Sequence, residues 1–229
     1  METFGKVTNT SVRLLLFDVD RTLYPSDEAG EAFIKGRGLT ELEQLATLFR
    51  WSTELMQRAI ARHRAIAADQ DRPISRTEAV YRLLQDWQID AAKWSQRRAE
   101  IYCPDGKITI VPEVKVAMEQ LAPHYQICFG TTSPPAMAQR VLELTGITEV
   151  IPQAKVFGDE SFSLEAIKPN PMFFTRISQA FGFTPDQVVS IGDRKNRDID
   201  PALDAGYAGG ILITGPAELP QVVELLKRA

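Results

Sequence analysis

Cysteine and histidine are scarce in this chain, with two of each among 229 residues, and no CxxC pair or Cys/His spacing suited to zinc occurs. A disulfide scaffold is thereby excluded. A single bridge between Cys103 and Cys128 is the most the composition permits; Cys128 lies in the apolar run ICF and reads as a core thiol, and reduced thiols are the expectation. Long apolar runs are also missing, so nothing approaches the ~20 residues that a membrane-spanning helix needs. The opening METFGKVTNTSV lacks the positive start and apolar middle of a signal peptide, which makes a cytoplasmic location the default expectation. Positive charge is short as well. With 26 Lys and Arg against 30 Asp and Glu, the net charge of −4 argues against a general nucleic-acid or anionic-membrane binder. No repeat or low-complexity tract is visible. What remains, 44% hydrophobic and 24% charged, is the balance of an ordinary globular protein, with enough chain for one large domain or a core with an insertion.

The most informative stretch that is present is LLLFDVDRTLY, Leu14 to Tyr24. A short apolar run ends in two carboxylates two residues apart, Asp18 and Asp20. In a strand, alternate residues share a face, so this spacing sets both acids on one side at the carboxyl edge of a sheet. Open α/β sheets bind ligands at that edge. Two anions so close repel unless a cation lies between them or one keeps its proton, which makes the pair a candidate metal and acid/base site. The competing reading is a strand that simply ends in acidic turn residues.

From Tyr24 to about Tyr102 the periodicity is helical. Leu42, Leu45, Ala46 and Phe49 fall at helical spacing, as do Met56, Ile60, His63 and Ala67. Ser75 with Glu78 has the spacing of a capping box, and Val80, Leu83, Leu84 and Trp87 follow as an apolar stripe. Asp90 is a candidate cap for a last helix carrying Trp94, Ile101 and Tyr102. His63 shares the apolar face of Met56 and Ile60 and reads as a packed histidine. Arg58, Arg62 and Arg64 read as a solvated surface.

Beyond the turn CPDG, helices alternate with short apolar runs. Helices are expected from Pro112 to about Leu121, from Pro134 and Pro135 to Gly146, and after Pro169 to about Ala180. Thr184 to Asp186 is a further helix start, and others run from Ile199 to Ala205 and through Leu219, Val222, Val223 and Leu226. Strands are expected at Gln126 to Phe129, Val188 to Ile191 and Gly209 to Ile213, with weaker candidates near Val150 and Ile151 and at Lys155 to Phe157. The implied fold class is α/β: a doubly wound parallel sheet interrupted early by a helical insertion.

In that arrangement Asp18 and Asp20, then Thr131 with Thr132 and Ser133, then Lys168, then Asp193 and Asp198 all follow carboxyl ends of strands or lie in the loops beyond them. They converge on one crevice. Several carboxylates with one lysine favour a hard divalent cation such as Mg²⁺, and the hydroxyls and lysine suit a phosphoryl group. Taken singly, each residue has a plainer reading as a helix cap, strand end or solvated loop.

These residues resemble the four motifs of the haloacid dehalogenase-like phosphohydrolases. FDVDRTL is similar to their DxDxT motif, Thr131 to the second, Lys168 with Pro169 to the third, and GDRKNRD to the fourth, GDxxxxD. Arg21 departs from the pattern, in which glycine or asparagine is commoner. The resemblance implies a Rossmann-like core of residues 1–23 and 106–229 and a C1-type helical cap of residues 24–105, with hinges near Leu23 to Pro25 and Cys103 to Gly106. It implies that Asp18 attacks phosphorus to give an aspartyl-phosphate and that Asp20 carries the proton. It also implies that Asp18, the main-chain carbonyl of Asp20 and Asp193 hold Mg²⁺, and that Thr131, Thr132 and Lys168 bind the phosphoryl group. For Asp198 the resemblance implies either contact with the metal through water or orientation of Lys168. The expected activity is hydrolysis of a small phosphorylated metabolite, with nucleoside monophosphates, sugar phosphates and phosphoglycolate all open. A hydrolytic dehalogenase is disfavoured by Asp20. The alternatives are a phosphomutase acting on a sugar phosphate, or a binding protein that keeps the fold without catalysis.

Overall fold

The computed structural model describes residues 1–25, 52–69, 76–90, 108–158 and 166–227, together with 94, 96 and 161. Its strands are β1 (Glu2–Gly5), β2 (Leu14–Asp18), β3 (Gln126–Gly130), β4 (Lys155–Phe157), β5 (Val188–Gly192) and β6 (Gly209–Leu212). The α-helices are α1 (Thr53–Asp69), α2 (Arg76–Asp86), α3 (Pro112–Leu121), α4 (Pro135–Leu144), α5 (Ile147–Val150), α6 (Pro171–Phe181), α7 (Asp200–Asp204) and α8 (Leu219–Leu226).

Strand β2 is buried along its whole length and lies between β3 and β5, parallel to both. Leu14 and Leu16 join Cys128, Phe173, Phe174 and Ile177 on one face, while Leu15 and Phe17 join Val114, Met118, Val141 and Val222 on the other. A strand covered on both faces has no solvent side to mark with polar residues, so LLLF reads as a continuous run without alternation. The full order is β1-β6-β5-β2-β3-β4, parallel except for β1, which runs antiparallel to β6. Helices α3, α4 and α8 cover one face, and α6 and α7 cover the other. The expected doubly wound α/β sheet is present.

Two local expectations need correction, and two further features are not anticipated. β1 has no counterpart among the expected strands: ETFG is short and mostly exposed, so it carries no apolar signature. Val150 ends helix α5, and the strand beside β3 is Lys155–Phe157 instead. Thr184 opens only a single 3-10 turn, Pro185–Gln187, closed by a reciprocal cap between Thr184 and Gln187. The helix expected from Ile199 to Ala205 is present as α7, and an unanticipated π-helical turn, Lys195–Ile199, precedes it.

Helices α1 and α2 form an apolar cluster of their own, with Met56, Ile60, Val80, Leu84 and Trp94 at its centre and Ile167 joining from the loop before α6. His63 packs across to α2, its Nε2 2.9 Å from Asp86. The helix expected through Leu42 to Phe49, together with Trp51, Ser75, Cys103, Ile101, Tyr102 and the second hinge, lies outside the described residues. Among the described residues no helix is long and apolar enough to cross a membrane.

Leu16 is 1% exposed at the centre of this packing. Leu16→Ala is expected to lower stability by ~2–5 kcal/mol in chemical denaturation, the usual cost of a cavity in a close-packed core.

Candidate active site

The carboxyl ends of β2, β3 and β5 lie side by side, which places the loops after them at one edge. β2 stops at Asp18, and a tight turn follows, with the amides of Thr22 and Leu23 both donating to the Val19 carbonyl. The two acids therefore meet through a turn; the pleat expected from their spacing ends before Asp20. Gly192 closes β5, and a β-carbon there would lie 2.5 Å from the Asp198 side chain. Only glycine lets Asp198 approach the strand so closely.

Two polar clusters result. In the first, the Lys168 ammonium lies 2.6 Å from Asp18 Oδ1 and 2.7 Å from Asp198 Oδ1, and it donates to the Gly130 carbonyl at 3.1 Å. All three of its protons are thus engaged. Asp18 is 9% exposed, and Lys168 and Asp198 are 2% exposed. The second oxygen of Asp198 accepts the Arg194 amide at 2.8 Å, and Thr22 Oγ1 donates to Asp18 Oδ2 at 3.4 Å. In the second cluster, Asp20 accepts Tyr24 OH at 2.5 Å on Oδ1, and on Oδ2 it accepts Thr131 Oγ1 at 3.0 Å and Ser133 Oγ at 3.3 Å. Thr131 Oγ1 in turn accepts the Ser133 amide. Thr132 follows half-buried in the same loop.

Burial pushes the Asp18 carboxyl well above the ordinary carboxylate range; Lys168 opposes this, and Asp198 and Asp20 add to it. Burial alone would lower the Lys168 ammonium, yet Asp18 and Asp198 hold it above its usual value. Asp193 is likewise raised, by burial and then by Asp198, against the pull of Arg194, Arg21 and Lys168. Tyr24 is raised by burial and by Asp20. Four carboxyl groups, Asp18, Asp20, Asp193 and Asp198, thus gather beside one lysine and two arginines. Asp18, Asp193 and Asp198 each bring a carboxylate oxygen within 4.8 Å of the others. A donor set made only of carboxylate oxygens fits a hard divalent ion such as Mg²⁺.

All eight residues expected to converge lie at this edge, with two shifts of emphasis. Asp198 enters the carboxylate trio directly, while the Asp20 side chain is taken up by hydroxyls. Tyr24, expected as part of a hinge, is a hydrogen-bond partner of Asp20. Arg21 is the residue that sequence reasoning leaves without a role. Its φ of +68° is a left-handed conformation that costs a residue with a β-carbon about 1 kcal/mol and suits glycine or asparagine. Its Nε lies 3.1 Å from Asp193 Oδ2, and the Arg194 Nε lies 3.8 Å from the same oxygen. The signal for it is the departure from the motif itself.

The haloacid dehalogenase-like hydrolase family model matches residues 12–206. The chain is 35% identical to the phosphoglycolate phosphatase of Pasteurella multocida over 129 residues, covering 55% of this chain and 54% of the relative. It is equally identical to that of Haemophilus influenzae over 107 residues, covering 46% and 44%. The chain thus spans about half the length of the curated relatives it matches. Among solved structures, a haloacid dehalogenase-like hydrolase from Xanthomonas campestris superposes with a TM-score of 0.54 at 18% identity, covering 95% of this chain and 93% of its own. One described as a predicted phosphoglycolate phosphatase from Haemophilus somnus gives 0.54 at 22%, covering 93% and 98%. These two structural likenesses concern the fold.

A pH dependence follows from the raised Asp18. Its folded value lies above the ordinary 3.8, so the stability it contributes is fully present below that value and is lost as pH rises through the folded one. The amide introduced by Asp18→Asn does not titrate. In metal-free protein, the melting temperature of that variant relative to the parent is therefore expected to climb as pH is raised from about 4 to 8. A difference that stays constant across that range contradicts the assignment.

Proposed function

The chain belongs to the haloacid dehalogenase-like hydrolase family, and on that premise we propose that it is a Mg²⁺-dependent phosphatase of small phosphate monoesters working through an aspartyl-phosphate. The observation that carries this reading is the convergence of Asp18 and Asp198 on Lys168, with Asp193 in the same carboxylate group and Asp20 in the adjoining hydroxyl cluster. Asp18 and Asp193 would hold the metal with the main-chain carbonyl of Asp20, and Asp198 stands close enough to contribute. When bound, the ion supplies charge neutralisation for the phosphoryl oxygens.

The residues' own work then divides. An Asp18 oxygen attacks phosphorus, and the bond to the leaving oxygen breaks. Asp20 donates a proton to that oxygen. Asp20 then takes a proton from the water that attacks the phosphorylated Asp18, releasing inorganic phosphate and restoring the carboxylate. Tyr24, Thr131 and Ser133 suit this exchange, because a hydroxyl serves as donor to a carboxylate or as acceptor from a carboxylic acid. Lys168, with Thr131 and Thr132, would neutralise and bind the phosphoryl group by giving up part of its present bonding. Residues 24–105 would form a helical cap on a core of residues 1–23 and 106–229, closing over the crevice to exclude water. The names of the curated relatives make phosphoglycolate the first ester to try.

Phosphate release from an aryl phosphate and from a panel of phosphorylated metabolites is expected only with a divalent ion. Asp18→Asn should reduce it by at least ~10⁴-fold while leaving the fold intact. Turnover at the parent rate in that variant would refute the mechanism. An isomeric sugar phosphate formed without free phosphate would identify a mutase, and no metal-dependent activity on any ester would favour a binding protein.

A further inference from the structure

Arg21 has a feature that phosphoryl chemistry alone does not require. An arginine is kept at a position with a φ of +68°, where a residue without a β-carbon would sit more easily, and its guanidinium is directed at a carboxylate of the site. Strain at such a position is commonly tied to a functional side chain. Arg194 reaches the same Asp193 oxygen from the loop after β5, so two guanidinium groups from different loops meet at one point on the edge. Their side chains are 41% and 45% exposed, whereas the side chain of the half-buried Asp193 is 7% exposed, so the cations form the outer layer over this acid. Asp193 is also a proposed metal ligand. An oxygen engaged by a divalent ion has less to offer two arginines, and both then have bonding capacity to share with an anion beside the phosphoryl seat.

We propose that Arg21, with Arg194, is the seat for a second anionic group on the substrate, so that the preferred ester carries a carboxylate within a few bonds of its phosphate. The proposal rests on the phosphatase reading and deepens it. A planar guanidinium matches a carboxylate as a two-pronged donor, which the ammonium of a lysine does not. Neutral sugar phosphates would leave the pair unsatisfied and would be bound more weakly.

The test uses the full chain carrying Asp18→Asn, so that esters bind without turnover, with Mg²⁺ present and calorimetry as the readout. The probes are 2-phosphoglycolate and ethyl phosphate, which differ by the carboxylate. Since a hydrogen bond to a charged group is worth a factor of ~10–100 in affinity, phosphoglycolate should bind tighter by about that factor. Adding Arg21→Asn, which suits the positive φ, should abolish the preference while leaving ethyl phosphate within about 2-fold. Arg21→Lys should recover part of it, and Arg194→Gln, at a position with ordinary backbone, should lower it independently. Absence of phosphoglycolate binding overturns the proposal, as does a preference unchanged by Arg21→Asn. So does an equal loss for both esters, or a tighter hold on Mg²⁺ with the preference intact, which would make Arg21 only a counter-ion to Asp193. Mg²⁺-dependent turnover of an aryl phosphate by the parent chain tests the phosphatase reading separately: if that persists while the preference test fails, only this inference falls.

Discussion

The shared ammonium of Lys168 is the constraint on which the candidate site depends. Two buried carboxylates, Asp18 and Asp198, sit against one cation that is 2% exposed. Ions are costly to remove from water, and a buried pair is tolerated only when its hydrogen bonds are complete. Here they are supplied by the backbone: Gly130 offers its carbonyl to Lys168, and Arg194 offers its amide to Asp198. Those backbone groups come from the ends of β3 and β5, so the charge cluster fixes the register of three loops at once. Gly192 follows from the same requirement, since any β-carbon there would displace Asp198.

The sheet and the order of the site are legible in the sequence because both depend on short-range signals. Apolar runs closed by Gly, Thr or Asp mark buried strand ends, and Pro112, Pro135 and Pro171 each stand at the start of a helix. What stays hidden is set by contacts far apart in the chain. β1 is legible only as a partner of β6, from residues more than 200 positions away. Tyr24 looks like a hinge residue because its sequence neighbours are a proline and the start of the insertion. Its function as a donor to Asp20 arises from the turn at Val19, which folds residue 24 back beneath residue 20. Asp198 is readable as a residue but its job is not, because a carboxylate six residues past the end of a strand looks the same whether it caps a helix or holds a lysine.

Arg21 is the case in which local preference and function disagree. The turn after Asp18 asks for a left-handed residue, and the chain supplies an arginine. A conflict of that kind weakens the local fold slightly and persists where the side chain has work elsewhere. The work visible here is electrostatic: Asp193 is raised by burial and by Asp198, and Arg21 and Arg194 are positive groups on its outer side. A glycine in place of Arg21 would relieve the backbone and leave the acid more exposed to repulsion from Asp198.

Under the proposed mechanism, the two polar clusters would divide the holding of charge from the movement of a proton at one edge. Asp20 is bound by three hydroxyls and Asp18 by an ammonium, so one acid sits among groups that can turn between donor and acceptor while the other sits against a fixed charge. The clusters are joined through adjacent residues of a single loop: the Gly130 carbonyl faces Lys168, and the next side chain, Thr131, faces Asp20. Displacement of Lys168 toward an incoming anion would loosen its bond to Gly130 and be felt at Thr131. Ile167, packed into the cluster of α1 and α2, stands immediately before that lysine. Helices α1 and α2 therefore pack against the residue next to Lys168, which ties the position of that lysine to their apolar cluster.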